Sequence, residues 1–247
     1  MCGCVTFDPR SAYIGFYATA PEMHGKGIGI KTWKAVKDHI EPDKNIGLCA
    51  APAQIRLYRE KAGFVNPDPF CMICTESDTL NLSQLSSHSP NNVVISEFND
   101  TIQNAVIEYD ENLIGLNRRR LIELGLREDK TLTLVASDAE SNSVVGYGCL
   151  KWSNVNKVML GPLYADTPEI AEFLLYRLLS EYKFADVPST GLVWLLLDGN
   201  KAAVELSSRL GHKFHYPSPR LFTKSVPQPP VDATKVYALY SPDIAPY

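Results

Sequence analysis

The sequence predicts an α/β protein built from two similar units, and three observations carry that prediction. Tyr13 to Gly29 (YIGFYATAPEMHGKGIG) is a β-branched and aromatic run that breaks into a glycine-rich turn, and helix-patterned sequence follows through Ile30, Trp33, Val36, Lys37 and Ile40. Gly191 to Leu197 (GLVWLLL) is an unbroken apolar run of strand length, the pattern of a strand buried on both faces. The order strand, loop, helix, strand, helix, glycine occurs twice at nearly one spacing: Gly15 and Gly63 lie 48 positions apart, Gly161 and Gly211 50.

The first unit opens with a short strand, Met1 to Phe7, ahead of the strand and glycine turn. A strand at Asn45 to Ala50 (NIGLCA) follows the first helix, then an amphipathic segment from Pro52 that closes as Lys61-Ala62-Gly63-Phe64. Ser77 to Asn92 (SDTLNLSQLSSHSPNN) is rich in Ser, Asn and Asp with little apolar periodicity, so it reads as a linker, with His88 a solvated loop residue. The chain accordingly divides into residues 1–76, a linker at 77–92, and residues 93–247.

In the second unit Val93 to Phe98 reads as a strand and Thr101 to Leu126 as helical, carrying the basic cluster Arg118-Arg119-Arg120. Thr131 to Ser137 and Val144 to Ser153 alternate as a hairpin, and Val158 to Tyr164 forms another strand. A helix from Thr167 to Tyr182 has Asp166 or Thr167 as its cap and Pro168 in its first turn. Asn200 opens the last helix, which ends at Leu210-Gly211.

Composition narrows the function classes. Hydrophobic content of 45% and charged content of 21% are those of an ordinary globular chain. A net charge of −4 leaves no basic footprint for nucleic acid or an anionic membrane, and no run approaches the ~20 apolar residues of a membrane span. Of six cysteines, Cys71 and Cys74 have the C-x-x-C spacing, but no second pair or nearby histidines complete a zinc site. Buried reduced thiols are the expectation, no metal is expected, and a reducing, cytoplasmic location follows.

The glycine turn is where chemistry is to be sought. A strand, a glycine loop and a helix in that order aim unpaired N–H groups and a helix N-terminus at one point, which favours phosphate. Gly25-Lys26-Gly27-Ile28-Gly29 has the wrong last spacing for a dinucleotide fingerprint, and Gly27 stands where a Walker loop needs a hydroxyl. A glycine-rich surface turn without a ligand is the plain alternative. The third phosphate reading fits best, for His24-Gly25-Lys26-Gly27-Ile28-Gly29 resembles the [QR]-x-x-G-x-[GA] pyrophosphate loop of the GNAT acyl-CoA N-acyltransferases, with His24 replacing the usual Gln or Arg. With the C-terminal run Val236 to Ile244, the tandem pattern looks like two-domain GNAT-like proteins of nematodes and some bacteria.

The resemblance implies two GNAT folds in tandem, each a mixed, mostly antiparallel sheet flanked by helices. It implies transfer of an acetyl or similar acyl group from acetyl-CoA to an amine. Tyr17, Ala18 and Thr19 would meet the pantetheine arm through their backbone, His24, Gly25, Lys26, Gly27, Ile28 and Gly29 would hold the pyrophosphate, and an N–H near Ala18 would steady the oxyanion. The family tyrosine that protonates the departing thiolate falls at Tyr58, one position early relative to Gly63, so a helix face turned by about 100° separates it from that role.

The first unit lacks the strand and helices that usually precede the strand at Cys2 to Phe7. A short isoform, an incomplete gene model, or cover from the second unit would each account for that gap. In the second unit Ala165-Asp166-Thr167-Pro168-Glu169 replaces the glycine loop, and its carboxylates oppose a pyrophosphate, so one acyl-CoA site, in the first unit, is expected. No base is evident. His24 sits in the phosphate loop, Glu22 reads as solvated, and His212 and His215 read as loop or core residues. The rival reading is a non-catalytic acyl-CoA-binding or dimerising protein. A homodimer fits either.

Overall fold

The computed structural model describes residues 1–153, 156–187, 191–227, 231–241 and 243. Its centre is one continuous sheet made from both units. In chain order the strands are β1 (Gly3–Asp8), β2 (Ser11–Gly15), β3 (Asn45–Cys49), β4 (Asn66–Ser77), β5 (Val93–Glu97), β6 (Thr131–Asp138), β7 (Val144–Trp152), β8 (Val158–Ala165), β9 (Leu192–Leu197), β10 (Lys213–Phe214), β11 (Ser218–Phe222) and β12 (Val236–Ala238). The helices are α1 (Ile28–Asp38), α2 (Ile55–Lys61), α3 (Gln103–Ile114), α4 (Arg119–Gly125), α5 (Pro168–Glu181) and α6 (Lys201–Arg209).

The predicted twofold plan is present. In each half a strand, a crossover helix and a parallel strand (β2-α1-β3 and β8-α5-β9) are followed by a further helix and an antiparallel strand. The spatial order β1-β2-β3-β11-β4-β9-β8-β7-β6-β5 contains an exchange that no local pattern announced. β11, from the second half of the chain, lies between β3 and β4, while β4, from the first half, pairs with β9 from Met72↔Leu197 to Ser77↔Leu192. The first half is thus closed by β11 of the second, and the second half by β4 of the first. The segment read as a linker is mostly exposed, but Leu85, 7% exposed, anchors it in the same core as α5 and α6, with Leu80 and Leu82 partly buried beside it.

Alternation along the strands sorts the core. Leu134, Leu150, Leu160 and Trp194 face α5 and α6, whereas Val135, Cys149, Tyr164 and Leu195 face α3 and α4. In the first half Ala12, Ile14, Ile46 and Leu48 pack with Trp33 of α1 and Tyr58 of α2. On the other face the missing side chain of Gly47 makes room for the rings of Tyr13 and Phe222, which a Cβ there would meet at 2.8 and 2.7 Å.

Helix boundaries follow the expected chemistry. Thr167 is the cap of α5, accepting from the Ile170 N–H, and Asn200 caps α6 through the Ala203 N–H. Thr101 to Leu126 is two helices rather than one. Gly115 ends α3 in the left-handed region, at φ 73°, because a glycine reaches that conformation without a Cβ penalty. Arg118 of the basic cluster is buried in the break and is no surface cation. It pairs with Asp110 at 2.7 Å, and Tyr147 and Tyr164 complete the hydrogen-bonded group. Among the described residues no helix is long and apolar enough to cross a membrane.

Candidate functional site

The glycine loop folds as an open, donor-rich turn. Gly25 and Gly27 have φ of 75° and 74°, and a Cβ on either would meet nothing within 4 Å. Gly27 is the N-cap of α1 with no side-chain cap. The first bond of the helix runs from the Lys31 N–H to the Gly27 carbonyl, so the N–H groups of Ile28, Gly29 and Ile30 precede it and face outward. Tyr17 and Thr19 press on the start of the helix: a Cβ at Gly29 would lie 2.8 Å from the Tyr17 hydroxyl and 3.4 Å from Thr19 Oγ1. The structure therefore brings Tyr17 and Thr19 to the loop. His24 Nε2 donates to the Thr19 carbonyl at 3.1 Å, which ties the ring back onto the strand.

Beyond Tyr13 and Gly47, the last pair of their parallel ladder, β2 and β3 part company. The gap opens at Gly15. Of the expected backbone partners Tyr17, Ala18 and Thr19, Ala18 is bonded elsewhere. The Ala18 N–H donates to the Met1 carbonyl at 2.9 Å and the Ala18 carbonyl accepts from the Met1 ammonium at 2.5 Å, so Ala18 completes the hairpin with β1 instead of facing the gap. The backbone group that does turn inward belongs to Phe16. Its φ of 54° lies in the left-handed region, and its N–H donates to Asp243 Oδ1 at 3.2 Å. Sequence reading missed both residues. The signal was Gly15 beside an aromatic at the end of a strand, which marks a close approach of another chain segment.

Tyr58 lies under this gap, 9% exposed, with its ring against Trp33 and Phe64 at 5.8 and 6.1 Å. Burial pushes its hydroxyl up to about 12, and Tyr17 and Cys2 are its nearby titratable neighbours. Cys2, whose thiol burial also raises, packs against the same apolar cluster as Tyr58.

The second half has the same fork, filled. β8 and β9 pair in parallel only from Val158↔Leu192 to Leu160↔Trp194. β12 enters beyond that point, pairing with β8 at Tyr164 and Leu163 while the Leu239 N–H donates to the Leu195 carbonyl of β9 at 2.8 Å. A Cβ on Gly161 would meet the Leu239 carbonyl oxygen at 2.3 Å. At the mouth, Asp166 accepts from Lys235 Nζ at 2.9 Å and from the Tyr109 hydroxyl at 3.3 Å, so its charge is spent on structure. Pro242 and Ile244 of the predicted C-terminal run lie outside the described residues.

The remaining candidates separate from the site. His212 is 6% exposed and bonded to Thr75 Oγ1 at 3.2 Å, and His215 pairs with Glu76 at 3.1 Å. Cys71 and Cys74 are free thiols, half-buried rather than buried, and the described residues hold no cluster of metal-ligating side chains. A cavity of about 630 Å³ lies between β1 and α4, with Val5 and Phe7 on one wall and Arg119, Leu124 and Glu128 on the other. The second half thus reaches over the edge of the first.

The family described as the acetyltransferase (GNAT) domain matches residues 106–238. Uncharacterized protein F36G3.2 of Caenorhabditis elegans is 27% identical over 210 residues, covering 81% of this chain and 65% of that one. Holothin acyltransferase of a Pseudoalteromonas species is 26% identical over 182 residues, covering 72% and 56%. The chain thus spans somewhat over half the length of these two relatives. Among solved structures, an acetyltransferase candidate from Pyrococcus horikoshii superposes with a TM-score of 0.71 at 21% identity, over 96% of this chain and 73% of that one. A tandem GNAT protein from the clavulanic acid biosynthesis pathway gives 0.58 at 11%, over 86% and 74%.

Proposed function

The chain belongs to the GNAT acetyltransferase family, and from that premise we propose that it is an acyl-CoA-dependent N-acyltransferase whose donor site lies in the first half. One observation carries the reading: an uncapped helix N-terminus and its open glycine loop sit at the mouth of a two-strand fork. The pyrophosphate of acetyl-CoA rests on the N–H groups from Gly25 to Gly29, with Lys26 adding charge. The pantetheine arm runs past Tyr17 and Thr19 into the fork. The Phe16 N–H, in place of Ala18, faces the thioester oxygen and steadies its developing charge. The amine forms its new bond to the acyl carbon as the C–S bond breaks, losing its proton to water and leaving a thiolate to be protonated. The amine comes from the cavity between β1 and α4, whose lining carries Glu128 along with Arg120 and the Arg119–Glu123 pair.

In this reading residues 1–76 and 93–247 are two GNAT units, the second structural, working in the cytoplasm as a monomer or homodimer. A non-catalytic acyl-CoA binder is the second reading. Tyr58, closed into an aromatic cluster, favours it. Calorimetric titration with acetyl-CoA, followed by mass spectrometry with a panel of amines, tests both. One site per chain and an acetylated amine are expected. One site without product leaves the binder, and two equivalent sites overturn the assignment to the first half.

A further inference from the structure

The segment that fills the second fork continues into the first. Val236 and Ala238 are fully buried between β8 and β9, and Leu239 and Tyr240 are at most 2% exposed. Three residues later Asp243 stands at the end of β2. An ideal Cβ on Gly15 would lie 1.9 Å from the Asp243 carbonyl oxygen and 2.6 Å from its Cα, so only glycine lets the two backbones meet. The Asp243 N–H donates to Ser241 Oγ at 3.3 Å, which turns the residue toward β2, and its carboxylate accepts from the Phe16 N–H at 3.2 Å. On β3, burial is what chiefly raises the Cys49 thiol, and the Asp243 charge adds to it. Asp243 therefore sits against the end of β2, within electrostatic reach of β3.

We propose that Asp243 is an internal competitor of the acyl donor, its carboxylate held on the backbone N–H that would otherwise receive the thioester oxygen. The inference rests on the acyl-CoA reading given above. A carboxylate is a stronger acceptor than a neutral carbonyl oxygen, and being part of the chain it is present at high effective concentration. The two occupants exclude one another, since one N–H in a narrow fork serves one oxygen. The two contacts also differ in strength. The stretch from Val236 to Tyr240 is locked into the core, while the bond from Phe16 to Asp243 is solvent-exposed and is the part that yields. Apparent donor affinity is then set by the residue that leaves.

Calorimetric titration of the full chain with acetyl-CoA, for the parent, Asp243→Ala and Asp243→Asn, tests this, together with hydrogen exchange at the Phe16 amide. Expected are at least tenfold tighter binding by Asp243→Ala, a smaller gain by Asp243→Asn, and faster Phe16 exchange in Asp243→Ala without ligand. Equal affinity across the three proteins overturns the competitor while leaving the donor site standing. Absence of binding in all three removes the donor site and the competitor with it. Loss of turnover in Asp243→Ala with affinity unchanged would make the residue a proton-transfer group, which also overturns the proposal.

Discussion

Asp68 and Arg220 form an ion pair of 2.8 Å with both side chains 1% exposed, and each comes from a different half of the chain. Asp68 lies on β4 and Arg220 on β11, the two strands that the halves exchange. The pair clamps the exchange at its centre, where neither charge reaches water.

Removing one partner strands the other. Arg220→Met is expected to cost about 3–5 kcal/mol of unfolding free energy, because a buried carboxylate is left uncompensated. Replacing both, as Asp68→Leu with Arg220→Met, should recover most of that loss. Denaturant unfolding measures each. A single-variant loss under about 1 kcal/mol would mean that water reaches the pair.

At Gly27 the two effects of a side chain can be separated. With φ at 74° and open space around the Cβ, Gly27→Ala should lower stability by about 1 kcal/mol through backbone strain alone. Gly27→Asp adds like charge beside a pyrophosphate, and acetyl-CoA affinity should drop a further tenfold or more, about 1.4 kcal/mol. Equal affinity for the Ala and Asp variants would show that the loop does not cradle phosphate.

For Tyr58, deletion of the hydroxyl should be nearly silent. A thiolate leaving group of pKa near ~8.5 needs little assistance at neutral pH, and a hydroxyl pushed up to about 12 by burial is a poor acid. Tyr58→Phe is expected to keep kcat within about threefold of the parent. A hundredfold fall in kcat with KM preserved would place that hydroxyl on the leaving thiolate.

His212 predicts an acid limb in stability. Thr75 Oγ1 gives its proton to the Trp194 carbonyl, so His212 Nδ1 donates to Thr75, and the lone pair on Nε2 is buried without a partner among the described residues. Burial lowers the imidazole from 6.5 to about 4. The unfolded chain therefore binds the proton first. The contribution is complete above pH 6.5 and is lost as pH falls toward 4, on the order of 3 kcal/mol. The stability of the parent relative to His212→Leu should fall between pH 7 and pH 4.5. A margin independent of pH would show that the histidine titrates normally.

What the sequence determined by itself is what short-range physics encodes. Thr167 and Asn200 begin helices because a side-chain oxygen three residues upstream meets an orphan N–H, and Gly25 and Gly27 mark left-handed turns because no Cβ opposes them. The twofold order of elements was legible for the same reason, since apolar period and punctuation repeat within each half. Tertiary structure alone decided which strands meet. A ladder of backbone hydrogen bonds carries no residue code, so nothing near Arg220 announced Asp68, and nothing near Leu239 announced that it would close the fork beside Gly161. It also decided which N–H faces the first fork. Ala18 and Phe16 read alike in sequence, and pairing with Met1 took the first while a turn to positive φ freed the second for Asp243.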